Sequence, residues 1–362
     1  MASIVRQDAP PQRGSTPKGK GRYNAVQHTT CGLDLAMPDI KIFDLHCDTI
    51  DALAFGDAGP FIGFPSTEGD LAHNQLALAT DRMRQLGPWC QCYAIWIPDK
   101  LKDVSPLELY RRGRDYLQAQ VREHADELAQ VRNAREIDEL LAQGKVAALL
   151  TVENGSPAGT DLGIVDEWAA DGVKMVTLTW NGKNSIASGN DTAEGLSPFG
   201  RQLVRALEER KIVVDVSHLN DVGFWELVKL ARRPLVASHS NLRSVCKHPR
   251  NLTDDQFRAI RDSGGIVGLN YYTDFLLDDG QARGSVSFDD LSRHLERFLS
   301  LDGERVVALG SDFDGCTPPA WLDSCEKLAP FAERISQRFG EELSKRLFFE
   351  NAHDFFVRNE SA

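Results

Sequence analysis

Short apolar runs separated by longer stretches of helical period recur from residue 40 almost to the C-terminus. Eight of these runs read as strands, over 40–47, 91–97, 146–152, 175–179, 212–217, 235–238, 266–271 and 306–311. Most are nearly continuous Val, Ile, Leu and Ala, the composition of parallel strands buried on both faces. Between them the spacing predicts helices over 107–128, 136–143, 163–171, 198–210, 222–231, 254–263 and 288–299, with a C-terminal helical stretch over 330–357. Local signals agree. Ser105-Pro106 is an N-cap followed by proline, Thr253-Asp254-Asp255-Gln256 fits a capping box, and Gly264-Gly265 ends a helix before the seventh strand. Eight strand–helix alternations predict an α/β chain folded as a (β/α)8 TIM barrel. An open doubly wound sheet is the alternative, but it usually carries a glycine-rich phosphate turn after its first strand. Here that strand ends His46-Cys47-Asp48.

Composition narrows the picture. The 362 residues are 42% hydrophobic and 26% charged, enough for one large barrel. The domain reading is a disordered N-terminal extension over 1–38, rich in Pro, Gly, Ser, Thr, Lys and Arg, and a (β/α)8 barrel over 39–358. A net charge of -12 works against binding to a phosphate backbone, so no nucleic-acid partner is expected. There is neither a signal-peptide core nor an apolar run of spanning length, which predicts no membrane partner and a cytoplasmic location. The 7 cysteines are scattered without paired C-x-x-C spacing and read as reduced thiols.

The candidate chemistry lies where the strands end. His46 and Asp48 close the first strand, Glu153 the third, His218 the fifth, His239 the sixth and Asp312 the eighth. In a closed barrel these ends converge on the C-terminal mouth. Histidine and carboxylate groups offer lone pairs to a borderline-soft cation such as zinc. Each has an ordinary reading on its own: a surface pair for His46 and Asp48, a loop carboxylate for Glu153, a satisfied strand-end histidine for His218. Their coincidence at one mouth is what points to a site. A single catalytic zinc takes three protein ligands, and the set here is larger. Two Zn2+ ions are therefore expected, with His46, Asp48 and Glu153 on one, and Glu153, His218 and His239 on the other. Glu153 would bridge them, and a hydroxide shared between ions about 3.5–4 Å apart is a nucleophile available at neutral pH.

Five stretches carry a family likeness: Phe43-Asp44-Leu45-His46-Cys47-Asp48, Asp215-Val216-Ser217-His218, Ser238-His239-Ser240-Asn241, Pro249-Arg250-Asn251-Leu252-Thr253-Asp254-Asp255 and Gly310-Ser311-Asp312-Phe313-Asp314-Gly315. Together they closely resemble the membrane dipeptidase (renal dipeptidase) family of zinc peptidases, from about Ile40 to the C-terminal helix. The resemblance implies a binuclear zinc barrel of the amidohydrolase-like group, commonly a homodimer, that hydrolyses small dipeptides and often tolerates a C-terminal D-residue. It places the metal ligands on His46, Asp48, Glu153, His218 and His239, the substrate-carboxylate arginine on Arg250 and the active-site aspartate on Asp312. The physical reading concurs, because a guanidinium pairs bidentately with a carboxylate and can measure substrate length. Asp312 would take the nucleophile's proton and pass it to the leaving amine, with Asp314 the competitor for that task.

The family's better-known members carry a histidine after Thr-Leu-Thr that is thought to bind the developing oxyanion. This chain reads Thr177-Leu178-Thr179-Trp180-Asn181. Asn181 is the expected substitute donor, and Trp180 is expected to shape the substrate-binding wall. Secreted relatives pair the cysteine matching Cys246 with another further along; residues 271–287 contain none, in keeping with a reducing compartment. Two other functions compete: an N-acyl-amino-acid deacylase on the same site, and a metal-binding protein without turnover. Loops over 54–74, 181–196 and 272–287 are expected to line the specificity pocket.

Overall fold

The computed structural model describes residues 40–55, 67–278 and 286–361. The extension read over 1–38 lies outside the described residues, as do segments 56–66 and 279–285 of two expected pocket loops. The barrel strands are β1 Ile42–Cys47, β2 Trp89–Trp96, β3 Val146–Glu153, β4 Val173–Thr177, β5 Val213–Asp215, β6 Val236–Ala237, β7 Ile266–Leu269 and β8 Val307–Leu309. Each pairs in parallel with the next, and β8 returns to β1 with Asp44 opposite Leu309, so the ring is closed. The (β/α)8 barrel read from the apolar pattern is the observed fold.

The seam between the first and last strands is fastened by side chains. The Asp44 carboxylate accepts the Ser311 backbone N–H at 2.8 Å and the Ser311 hydroxyl at 2.6 Å, and also takes the Gln91 amide at 2.9 Å. All three residues are buried, and each oxygen of Asp44 has a donor. A buried carboxylate persists only when satisfied in this way.

The predicted caps are present. Ser105 Oγ accepts Glu108 N–H at 3.1 Å, and Thr253 and Gln256 form the reciprocal capping box. Several elements differ from the reading. The helix expected through residue 128 spans Pro106–Glu123, and Leu128–Gln130 is a short extra strand laid parallel to the start of β3. Leu128, which continued the helical period in sequence, instead faces Val146 and is fully buried. Two helices of 7 residues, Thr49–Phe55 and Thr80–Leu86, were not anticipated, since two turns hardly display a period. The C-terminal stretch breaks at Gly340, whose φ of 95° ends the helix Leu328–Phe339, and resumes at Glu341. Its final helix, Asn351–Ser361, runs past the expected boundary at 358 and stacks Phe356 on Phe43, ring centroids 5.4 Å apart.

Among the described residues Cys47, Cys90, Cys92, Cys246, Cys316 and Cys325 are free thiols; Cys31 lies outside them. No described helix is long and apolar enough to cross a membrane.

Candidate functional site

The barrel brings the predicted strand-end residues into one buried cluster. His46 Nε2 stands 3.4 Å from Asp48 Oδ2 and 3.4 Å from Glu153 Oε2. The other oxygen, Glu153 Oε1, faces His218 Nε2 at 2.7 Å and His239 Nε2 at 3.7 Å. Those two ring nitrogens are themselves 3.1 Å apart, and the rings of His46 and His239 stack with centroids at 4.0 Å. Glu153 thus turns one oxygen to each side. Asp312 joins His46 and Asp48 in a second group whose ligand atoms all lie within 4.8 Å of one another.

Outer residues fix which face of each imidazole points inward. Asp215 is fully buried at the end of β5 and accepts from Thr177 Oγ1, from Ser217 through both N–H and hydroxyl, and from Ser238 through both N–H and hydroxyl. Because the Ser238 hydroxyl is donated to Asp215, its oxygen is left to accept His239 Nδ1–H at 2.7 Å. The Nε2 lone pair of His239 then points into the cluster. On the neighbouring ring, His218 Nδ1 lies 2.9 Å from Asn181 Oδ1.

Burial and the mutual proximity of these groups set their electrostatics. Burial, aided by Arg250 and His46, holds His218 and His239 well below the usual histidine value. Burial would lower His46 too, but the Asp48 and Glu153 carboxylates outweigh it and hold that ring well above. Burial raises Glu153 to about 7 and Asp312 to about 6. The buried atoms His46 Nε2 and Asp48 Oδ1 have no hydrogen-bond partner among the described residues. Converging, unsatisfied imidazole and carboxylate atoms of this kind suit divalent metal ions.

The two rival aspartates differ in surroundings. Both adopt left-handed backbone, φ 61° at Asp312 and 67° at Asp314, a conformation an L-residue holds only when its surroundings dictate it. Asp314 spends both oxygens on the scaffold, accepting Thr49 Oγ1 at 2.6 Å and Ala77 N–H at 2.7 Å. Asp312 Oδ2 accepts Asn270 Nδ2 at 3.0 Å, and its carboxylate lies beside His46 and Asp48. Gly315 follows because a Cβ there would sit 1.9 Å from Asp48 Oδ2.

A cavity of about 710 Å³ opens over the cluster, lined by Asp48, Glu153, His218, Asp312, Arg250, Trp180 and Asn181 among others. Arg250 is 5% exposed, and its Nε, Nη1 and Nη2 have no hydrogen-bond acceptor among the described residues. Its guanidinium packs on Phe275 at 5.4 Å, and burial lowers it to about 10. The segment carrying it is pinned by Asn251, whose amide donates to the carbonyls of Cys246 and Phe275 at 2.9 Å each. Trp180 meets Trp96 edge to face, centroids 5.0 Å apart, and forms a wall beside His218. The sequence reading assigned no role to Asp215, Ser238, Asn251 or Asn270. Three of them stand inside the quoted motifs, and at Asp215 and Ser238 a polar residue in an apolar run was the available signal.

The chain matches the family model described as membrane dipeptidase (peptidase family M19) over residues 35–356. A solved metallopeptidase from Rhodobacter sphaeroides, liganded with a phosphinate mimic of the dipeptide L-Ala-D-Ala, is similar in structure. Its TM-score is 0.79 at 28% identity, covering 89% of this chain and 99% of that one. An uncharacterized protein in the pqqA 5' region of Klebsiella pneumoniae is 43% identical over 158 residues, 41% of this chain and 58% of its own length. An uncharacterized dipeptidase of Schizosaccharomyces pombe is 30% identical over 202 residues, 54% of this chain and 48% of its own length. The chain therefore spans about half the length of each of these two relatives.

Proposed function

The chain belongs to the membrane dipeptidase family of metallohydrolases, and from that premise we propose that it is a zinc-dependent dipeptidase. The observation that carries the proposal is Arg250: a buried guanidinium without an acceptor, opening on the same cavity as the histidine–carboxylate cluster. A buried charge left unpaired is costly, and a substrate carboxylate is its natural complement. Arg250 is near enough to the cluster to depress both His218 and His239. A substrate held there by its C-terminal carboxylate would present its last peptide bond to the cluster.

His46, Asp48 and Glu153 would hold one ion, and Glu153, His218 and His239 the other. Ions held by these residues would supply Lewis acidity toward the scissile carbonyl and make water a better nucleophile at neutral pH. Asp312, raised by burial to about 6, accepts a proton on its carboxylate and returns it to the leaving amine. The Asn181 amide N–H is the side-chain donor assigned to the developing oxyanion, and Trp180 with Trp96 bounds the substrate side chain. The free thiols support a reducing, cytoplasmic setting, and the family likeness supports a homodimer, which light scattering would check.

The deacylase reading shares the free carboxylate but lacks the amino group of a dipeptide. Asp191 on the cavity lining favours a substrate with that cationic end. Zinc-loaded protein should be assayed side by side on dipeptides with L- or D- C-terminal residues, on their C-terminal amides and on N-acyl amino acids. Turnover of the free dipeptides with rejection of the amides is expected. A preference for N-acyl amino acids would move the assignment to a deacylase, and metal binding with no turnover of any of them would refute catalysis.

A further inference from the structure

The two inward-facing histidines that share Glu153 Oε1 are held from behind by different chemistry. His239 Nδ1 reaches a serine hydroxyl backed by the ionisable carboxylate of Asp215. His218 Nδ1 reaches only the amide oxygen of Asn181, at 2.9 Å. Around Asn181 the loop is built tightly. Gly182 N–H donates to Asp99 at 2.7 Å, Asp191 N–H donates back to the Asn181 carbonyl at 2.9 Å, and Gly189 crosses directly over the Trp180–Asn181 peptide. A Cβ at Gly189 would lie 1.9 Å from the Trp180 carbonyl oxygen, so only glycine lets the two strands of the loop touch. The same loop also grips the His218 backbone, through Asn190 Nδ2 on the carbonyl at 3.0 Å. His218 is thus fixed at both its ring and its main chain by residues 181–190.

We infer that Asn181 is a positioning residue for His218: its Oδ1 accepts Nδ1–H, selects the tautomer with a lone pair on Nε2, and aims that lone pair beside Glu153 Oε1. The inference rests on the reading that His218 holds a metal ion. The orientation of the amide follows from chemistry. Were Nδ2 to face the ring, Nδ1 would have to accept, the proton would move to Nε2, and His218 would be lost as a ligand. With Oδ1 spent on His218, the other end of the same amide remains for the cavity that Asn181 lines. An uncharged acceptor also leaves His218 a weaker base than a carboxylate would, whereas His239 is backed by Asp215.

The test uses the zinc-loaded protein and competition with a chromophoric chelator, which reads two dissociation constants without any substrate. Asn181→Leu removes the acceptor at similar volume and should weaken one of the two ions by about 10–100-fold while sparing the other. Asn181→Asp keeps an acceptor in place, controls for folding of the loop, and should bind that ion as tightly as wild type or more so. His218→Ala should affect the same ion. Unchanged constants in Asn181→Leu would overturn the inference, and an equal loss in Asn181→Leu and Asn181→Asp would overturn it too, showing a loop that merely needs asparagine to fold. Should His218→Ala leave both constants untouched, the ligand assignment itself fails, a result distinct from either of these.

Discussion

Replacing Arg250 with methionine should move stability and activity in opposite directions. The guanidinium is 5% exposed and lowered by burial to about 10, a change from the ordinary arginine value that corresponds to a penalty of about 3 kcal/mol on the charged form. The sign follows from its being a base with a depressed value. Below about pH 10 the folded protein carries the full penalty, and it fades only as pH rises past that point. Methionine has similar length, keeps a contact with Phe275 and carries no charge, so roughly 1–3 kcal/mol of stability should be regained. Substrate binding loses the charge-assisted pair. Truncating one partner of a buried charged pair costs about 2–5 kcal/mol, which is about 30- to 5000-fold in kcat/KM, carried mainly by KM. A C-terminally amidated dipeptide offers no charge to that pocket and should change by less than about 3-fold. The assay pairs kcat/KM on a free dipeptide and its amide with the urea midpoint of each metal-loaded protein. Equal losses on both substrates, or a midpoint that falls in Arg250→Met, would refute the argument and make the arginine a structural element.

Three further outcomes are expected. Asp312→Asn should lower kcat by roughly 10²–10⁴ with metal content unchanged. Asp314→Asn should instead act on stability, through Thr49 and Ala77, and an active Asp312→Asn beside a folded but dead Asp314→Asn would transfer the proton role. Trp180→Phe should shift preference among substrate side chains while leaving kcat on the best substrate within about 3-fold, and its loss of turnover on every substrate would make the indole N–H essential. Metal binding should release protons, because His46 is held protonated by Asp48 and Glu153 while a bound imidazole must be neutral. Affinity should therefore fall as pH falls; calorimetry in buffers of different ionisation enthalpy measures the protons released, and a count of zero would contradict it.

Much of this was legible in the chain. All eight barrel strands lie within the predicted runs or overlap them by most of their length, because strands buried on both faces leave an unbroken apolar signal that surface helices do not. The convergence of His46, Asp48, Glu153, His218, His239 and Asp312 on one mouth was legible for the same reason, each being a polar residue at the end of such a run. The Thr49–Phe55 helix and the Leu128–Gln130 strand were not, since each is too short for its period to stand out from its neighbours. The supporting groups were hidden differently. Nothing in sequence says that Ser238 hands its proton to Asp215 and not to His239, or that Asn181 faces a ring and not solvent. Those facts depend on pairs 23 and 37 residues apart meeting in space.

The Asp44–Ser311 seam has a bearing on how the molecule is assembled. Its partners are 267 residues apart, and closing a loop of that length costs about 5 kcal/mol by the (3/2)RT ln n rule, a debt no contact within a partial barrel can settle. His46 and Asp48 lie just past the seam on the first strand, Asp312 just past it on the last, and the Ser311 hydroxyl reaches the His46 carbonyl at 3.0 Å. A chain emerging N-terminus first holds its earliest ligands long before the strand that completes their surroundings exists. The cluster is complete only when β1 and β8 have met. Ions held by His46, Asp48, Glu153, His218 and His239 would tie β1 across the mouth to β3, β5 and β6, so their removal should be felt as a loosening of β1 beside that seam.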